Sequence, residues 1–180
     1  MNTKRVVITG SPATGKTSII NELIKRGYVC LEEISRQIIL NARKKGIKQL
    51  FLDDPLRFSE LLLEGRKSQF LEIQGLNTSF VFYDRGIPDI LAYMNYANAS
   101  YPKTFTEVVE YCQYDLIFIL PPWKDIFRSD NERYENFEQA NMIHKNLVKS
   151  YTKYGYDLID IPFGTVEHRT DFILNHLKII

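Results

Sequence analysis

The segment Gly10–Thr17 constrains this chain more than any other, because it fits the pattern G-x-x-x-x-G-K-[ST] at every fixed position. The β-branched residues 5–9 before it are typical of a buried strand, and residues 18–26 after it have helical apolar spacing. Glycines in such a loop let backbone N–H groups surround an anion, and the following helix adds its dipole. Strand, loop and helix in this order predict a phosphate-binding site.

The residue types of the loop suit the phosphate chain of a nucleotide. Lys16 can neutralise the charge of the β- and γ-phosphates, and the Thr17 hydroxyl can bind a magnesium ion. We therefore expect ATP and Mg²⁺ as cofactors. The predicted nucleotide-binding residues of this stretch are Gly10, Ser11, Pro12, Ala13, Thr14, Gly15, Lys16, Thr17 and Ser18.

Length and charge limit the remaining possibilities. The 180 residues suit a single domain, 1–180, and the net charge of +1 gives no general attraction for nucleic acid or anionic lipid. The first strand follows Met1 too closely for a signal peptide, and no apolar run approaches the roughly 20 residues of a membrane helix. We expect a cytoplasmic protein with neither nucleic-acid nor membrane partners. The sequence leaves its oligomeric state open.

Five short apolar segments alternate with segments of helical spacing. This alternation predicts an α/β fold of three layers, in which a parallel sheet is covered by helices on both faces. Ligands in such sheets bind at the carboxyl ends of the strands. The predicted strands are residues 5–9, 28–31, 80–83, 115–120 and 156–161.

Asp84 directly follows the apolar run of residues 80–83. Its carboxylate is expected to leave the sheet beside the phosphate loop, where Mg²⁺ requires a hard oxygen ligand. The simpler alternative is a helix cap or turn residue, which is also common after a buried strand.

Glu32 and Glu33 end the second predicted strand, where a base for an acceptor hydroxyl would lie. The alternative is a pair of solvated carboxylates that bridge to Arg36. Neighbouring strand residues face opposite ways, so at most one of the two should enter the site. We select Glu33 on weak positional grounds.

Arg128 and Arg133 belong to a charged segment, residues 123–133, that we expect to close as a lid over the phosphates. Residues 129–132 read as a capping box, with Ser129 at the N-cap position and Glu132 three residues later. That cap would place Arg133 in the first helical turn, where a cation opposes the dipole. The alternative is an exposed connection with surface arginines.

Other candidate residues receive no catalytic role. Trp123 is predicted to be an apolar anchor at the base of the charged segment, and adenine stacking is its less favoured use. His144 is predicted to pack at the edge of the core, and His168 and His176 to lie on the surface.

These motifs together resemble the AAA-type domain family related to the nicotinamide-riboside kinase domain of NadR proteins, and more broadly the nucleoside and nucleotide kinase branch of P-loop NTPases. The resemblance spans nearly the whole chain. It implies the sheet order 2-3-1-4-5 and a mobile lid, with Lys16 and Thr17 at phosphate and magnesium and Asp84 in the metal shell. It further implies that Arg85 binds substrate or phosphates, and that Arg128 and Arg133 are lid arginines. The matching segments are Gly10–Thr17, Glu32–Arg36, Tyr83–Asp89, Pro121–Trp123 with Arg128–Arg133, and Gly155–Tyr156.

Two functions remain open at this stage. The first is a kinase that transfers the γ-phosphate of ATP to a nucleoside-like or other small acceptor, with Lys16, Glu33, Asp84, Arg128 and Arg133 as catalytic residues. The second is an ATP-hydrolysing or nucleotide-dependent switch without an acceptor. A small GTPase is disfavoured because the chain has no N-K-x-D segment for reading guanine. The acceptor itself is left open, since no motif marks its pocket.

Overall fold

The computed structural model describes residues 3–44, 46–47, 50–73, 76–127 and 135–178. Strands and helices alternate along most of the chain, as the apolar pattern predicts. The strands are β1 Lys4–Gly10, β2 Val29–Leu31, β3 Phe80–Asp84, β4 Leu116–Leu120 and β5 Leu158–Asp160. The helices are α1 Lys16–Lys25, α2 Ser35–Lys44, α3 Leu50–Asp53, α4 Pro55–Glu72, α5 Ile87–Tyr96, α6 Lys103–Tyr111, α7 Phe137–Lys153 and α8 Val166–Leu177.

The strands form one parallel sheet in the order β2-β3-β1-β4-β5, which confirms the predicted order. In the pairing of β1 with β3, Ile8 lies opposite Asp84, so the end of β3 is adjacent to the start of the phosphate loop. In the pairing of β1 with β4, Gly10 lies opposite Leu120. The sheet therefore gathers three chain segments at one carboxyl edge.

The two faces of the sheet carry separate cores, because successive strand residues point to opposite sides. Val7 contributes to a core shared with α4, α5, α6 and α7. Val6 and Ile8 contribute to the core on the other face, shared with α1 and α8. The strand that leads into the phosphate loop is thus buried on both faces and is held rigidly.

Helix α7 begins at Phe137 and is capped by Asn136 and Gln139. The predicted capping box at Ser129 and Glu132 lies outside the described residues and stays a prediction. Asn136 offers the same cap chemistry, and glutamine at the third helical position completes the box as glutamate would. The short helix α3 was not anticipated.

Several minor predictions can also be compared with the structure. His176 is half-buried and its ring packs edge-on against Phe118, so the predicted surface position is wrong for this histidine. His144 is half-buried, and burial lowers its pKa. Cys30 and Cys112 are both free. No helix in the described part of the chain has the length and hydropathy needed to cross a bilayer.

Candidate active site

The phosphate loop connects β1 to α1 in a conformation that few residues could adopt. Gly15 has φ 83° and Ala13 has φ 61°, both in the left-handed region. A Cβ atom on Gly10 would lie 2.9 Å from the Leu120 Cβ, so β4 leaves room only for glycine there. The Thr14 hydroxyl donates to the Ser11 carbonyl at 2.9 Å and closes the loop on itself. Contacts within the chain therefore define the shape of the loop.

Lys16 and Asp84 form a buried ion pair across this loop. Burial and the charge of Arg85 lower the pKa of Lys16, while Asp84 acts in the opposite direction. The pair forms because β3 lies beside β1 and ends next to the loop. The Asp84 carboxylate therefore faces the phosphate loop, as expected from its position after a buried strand.

The oxygen atoms of the Asp84 carboxylate and the Thr17 hydroxyl suit a magnesium ion that is bound to a nucleotide. Asp84 already accepts a cation on the loop side, in the form of the Lys16 ammonium group. The Thr17 hydroxyl follows directly in α1 and is exposed. Magnesium prefers few protein oxygens, with phosphate and water completing its shell. The described residues contain no cluster of three His, Cys, Asp or Glu side chains.

Glu33 turns into the site, whereas Glu32 is exposed to solvent. The Glu33 carboxylate pairs with Arg66 of α4 at 3.0 Å and with Nε of Arg85 at 2.7 Å. Burial alone would raise the pKa of Glu33, but the charges of Arg66, Arg85 and Lys16 outweigh it and lower the pKa to about 2. Glu33 is therefore a permanently charged hydrogen-bond acceptor beside the phosphate loop.

Arg85 contacts both the phosphate loop and the carboxylates of Glu33 and Asp89. Its Nη1 donates to the Gly10 carbonyl at 3.0 Å and to Asp89 Oδ1 at 3.1 Å, and its guanidinium group lies 5.4 Å from the centre of the Tyr93 ring. Its φ of 74° is unusual for a residue with a side chain and costs about 1–3 kcal/mol. Such strain persists where the surrounding contacts enforce it, and here they fix Arg85 against the loop.

Asp89 is buried and hydrogen-bonds to several elements of the fold, although the sequence analysis gave it no role. Its Oδ1 accepts the Thr9 hydroxyl at 2.6 Å, and its Oδ2 accepts the Gly86 N–H at 3.0 Å and the Tyr151 hydroxyl at 2.5 Å. Only its place near the start of a helix marked it in the sequence, and many acidic residues share that feature. Asp89 thus holds β1, α5 and α7 together behind Arg85.

Arg66 was also missed, although the sequence carries a signal for it. Leu62, Arg66 and Phe70 are spaced four residues apart and share one face of α4, and all three are buried. A cation on an apolar helical stripe needs a partner. Arg66 finds two, since it also donates to the Gly86 carbonyl at 2.8 Å.

A further cluster lies on the other side of the phosphate loop. Trp123 stacks on Phe163 with ring centres 4.9 Å apart, and the guanidinium group of Arg169 lies 5.7 Å from the Trp123 ring. Nη2 of Arg169 donates to the Thr14 carbonyl at 2.9 Å. The predicted anchoring of Trp123 therefore involves α8, through a residue that the sequence did not single out.

The two predicted lid arginines, Arg128 and Arg133, lie outside the described residues, so their expected position over the phosphates stays a prediction. The described start of their segment, residues 123–127, follows the end of β4.

The class of protein domain follows from three features: the order of the strands in the sheet, the phosphate loop, and the acidic residue at the end of β3. This is a P-loop nucleotide-binding domain with the fold of the nucleoside and nucleotide kinases. The chain belongs to the AAA domain family, whose model matches residues 5–169. No curated protein matches the sequence.

Solved structures of kinases share the fold at low sequence identity. A deoxyadenosine kinase from M. mycoides is 19% identical, with a TM-score of 0.69, covering 98% of this chain and 100% of that one. A NadR protein in complex with NR is 17% identical, with a TM-score of 0.73, covering 98% of this chain but only 50% of that one. Thymidylate kinase from Candida albicans is 15% identical, with a TM-score of 0.67, covering 98% of this chain and 92% of that one.

Proposed function

We propose that the protein is an ATP- and magnesium-dependent kinase that phosphorylates a small, nucleoside-like acceptor. The observation that carries this proposal is the Glu33 carboxylate, held by Arg66 and Arg85 beside the phosphate loop. In a hydrolase the same carboxylate would orient the attacking water. The solved structures that share this fold are kinases, which favours an acceptor hydroxyl at that place. The alternative function is therefore not favoured.

The chain's own residues would divide the work of phosphoryl transfer. The loop amides and Lys16 would bind the phosphates. To reach them, the Lys16 ammonium group would give up its ion pair with Asp84. Bound magnesium, held through Thr17 and Asp84, would neutralise charge on the β- and γ-phosphates. The acceptor oxygen would bond to the γ-phosphorus as the bond to the β–γ bridging oxygen breaks. ADP would leave, and the hydroxyl proton would pass to the transferred phosphate or to solvent.

Glu33 would act mainly by orientation. With a pKa of about 2 it is a weak base, so it would accept a hydrogen bond from the acceptor hydroxyl without removing its proton early. In a loose transition state, the bond from the γ-phosphorus to ADP is largely broken before the bond to the acceptor oxygen forms. The acceptor hydroxyl can therefore lose its proton late. The rate would then come from positioning.

Other kinases of this fold support a nucleoside-like acceptor. The similar NadR structure contains NR, and M. mycoides deoxyadenosine kinase has been seen with dCMP, dCTP and dATP. The acceptor side of this chain is also aromatic, since Tyr93 stands against Arg85. A ring-bearing acceptor would suit that surface.

An ADP-release screen tests the proposal. The purified protein with ATP and Mg²⁺ is presented with a library of nucleosides, nucleoside monophosphates and other hydroxylated metabolites. We expect at least one acceptor to accelerate ADP release and to gain a phosphate by mass spectrometry, with no activity in Lys16→Ala. Steady ATP hydrolysis that no acceptor changes would favour the switch or ATPase instead.

A further inference from the structure

Arg169 lies near the N-terminus of α8, and none of the steps proposed above uses it. Its side chain is buried, with 2% of the residue exposed. Nη2 donates to the Thr14 carbonyl at 2.9 Å, and a Cβ atom on Gly15 would lie 2.8 Å from Nη1. The guanidinium group therefore packs directly against the backbone of the phosphate loop, on the face opposite the Glu33 network.

This placement is unfavourable for a cation in the protein without ligand. Within the described part of the chain, Arg169 has no carboxylate partner and its buried Nε has no hydrogen-bond acceptor. Burial lowers its pKa. An uncompensated buried charge is strongly unfavourable. A buried arginine without a counter-charge points to an anion that is supplied from outside.

The three other cations that the structure describes at the site cannot take this role without losing partners. Lys16 is paired with Asp84, Arg66 with Glu33, and Arg85 with both Glu33 and Asp89. Their charges are balanced in the structure as it stands. Arg169 is an additional positive charge, and none of these three carboxylates pairs with it.

We propose that the phosphates of the bound nucleotide provide the missing counter-charge, and that Arg169 is a nucleotide-positioning residue. It fixes the loop at Thr14 and Gly15 and places a positive charge behind the amides that bind the anion. Its contact with Trp123 also connects phosphate binding to the first residues of the predicted lid segment. This inference rests on the proposed nucleotide binding.

Calorimetry with two probes tests the inference. ADP carries a base and phosphates, whereas inorganic tripolyphosphate carries phosphates alone. Arg169→Met removes the charge with little loss of volume, and we expect it to raise the Kd of both probes about tenfold or more. Arg169→Lys keeps the charge but loses the planar fork, and we expect an intermediate Kd.

Arg26→Met is the matched control. Arg26 also joins α1 to α8, through Nη1 to Asp171 at 2.5 Å, but it lies at the far end of α1 from the loop. We expect Arg26→Met to leave both Kd values within about twofold of wild type. The unliganded Arg169→Met protein should melt no lower than wild type, because a buried unpaired charge has been removed.

Several outcomes would overturn the inference. One is an unchanged ADP affinity in Arg169→Met, and another is a loss for ADP but not for tripolyphosphate, which would indicate a contact with the base. If Arg169→Met does not fold, NMR of the wild-type arginine Nε–H groups replaces it, with Arg169→Lys used to assign the signal. That signal should shift when ADP is added, and a fixed signal contradicts the inference. Failure of the wild type to bind either probe would instead overturn the proposed function.

Discussion

The Tyr151 hydroxyl on α7 donates a hydrogen bond to Asp89 Oδ2 on α5, with an O···O distance of 2.5 Å. Both residues are buried, and Asp89 also accepts from Thr9 in the strand that leads into the phosphate loop. Burial, together with the Asp89 charge, holds the pKa of Tyr151 well above its ordinary value, so the hydroxyl keeps its proton. The helix that follows the predicted lid is thus tied to the residues that position Arg85.

Tyr151→Phe should therefore weaken both the fold and the acceptor side of the site. Removing one donor from a buried carboxylate costs about 1–3 kcal/mol of unfolding free energy, measured by urea denaturation. We also expect a lower kcat/KM for the acceptor, since Arg85 loses support. Tyr154→Phe is the control, because the buried Tyr154 hydroxyl has no partner among the described residues. Equal losses in the two variants would contradict this role for Tyr151.

Asp84→Asn should impair the use of magnesium. The amide keeps the size of the side chain but loses the charge that a metal shell requires. We expect the magnesium concentration for half-maximal turnover to rise about 10- to 100-fold. The unfolding free energy should fall as well, because Lys16 loses its buried charge partner. A titration of turnover against Mg²⁺ measures the effect. The same magnesium dependence in both proteins would rule out Asp84 as a metal residue.

Glu33→Gln and Glu32→Gln form a matched pair for the acceptor side. Only Glu33 faces the site, so Glu33→Gln should lower acceptor phosphorylation about 100-fold through lost orientation while sparing ATP affinity. Glu32→Gln should behave as wild type, because its side chain is exposed. Steady-state kinetics and ATP calorimetry on both variants check this. A larger effect from Glu32→Gln would show that the side chain of Glu32, and not that of Glu33, acts in the site.

The low pKa of Glu33 also predicts a pH dependence of stability. A carboxylate whose pKa falls from 4.5 in the unfolded chain to about 2 in the folded protein stabilises the fold fully above pH 4.5. That contribution is lost as the pH falls from 4.5 towards 2. The difference in unfolding free energy between wild type and Glu33→Gln should therefore shrink over this window. A difference that stays constant in acid would contradict the low pKa.

Arg128→Ala and Arg133→Ala test the predicted lid. Arginines that stabilise the transferring phosphate typically contribute orders of magnitude, so each change should lower turnover at least about tenfold, with a smaller effect on ATP affinity. Hydrogen exchange should show residues 123–133 becoming protected when an ATP analogue binds. Unchanged turnover in both variants, together with unchanged exchange, would remove the lid role from this segment.

The local sequence pattern was sufficient to predict the sheet, the phosphate loop and the position of Asp84. The phosphate loop and Asp84 are visible in the sequence because each directly follows an apolar strand, and parallel strands bring such ends together. Arg66, Asp89 and Arg169 depend on contacts between residues far apart in the chain. Of these, only Arg66 left a trace, as a cation on an apolar helical stripe.

The division of the core by the sheet has a consequence for how this protein can change. Glu33, Arg66 and Arg85 belong with α4, α5 and α7 on one face, whereas Arg169 belongs with α8 on the other. Substitutions in separate layers with no shared partners usually have additive effects. Under the proposed function, repacking around α4, α5 and α7 would alter acceptor preference, while the contact of Arg169 with the phosphate loop would be retained.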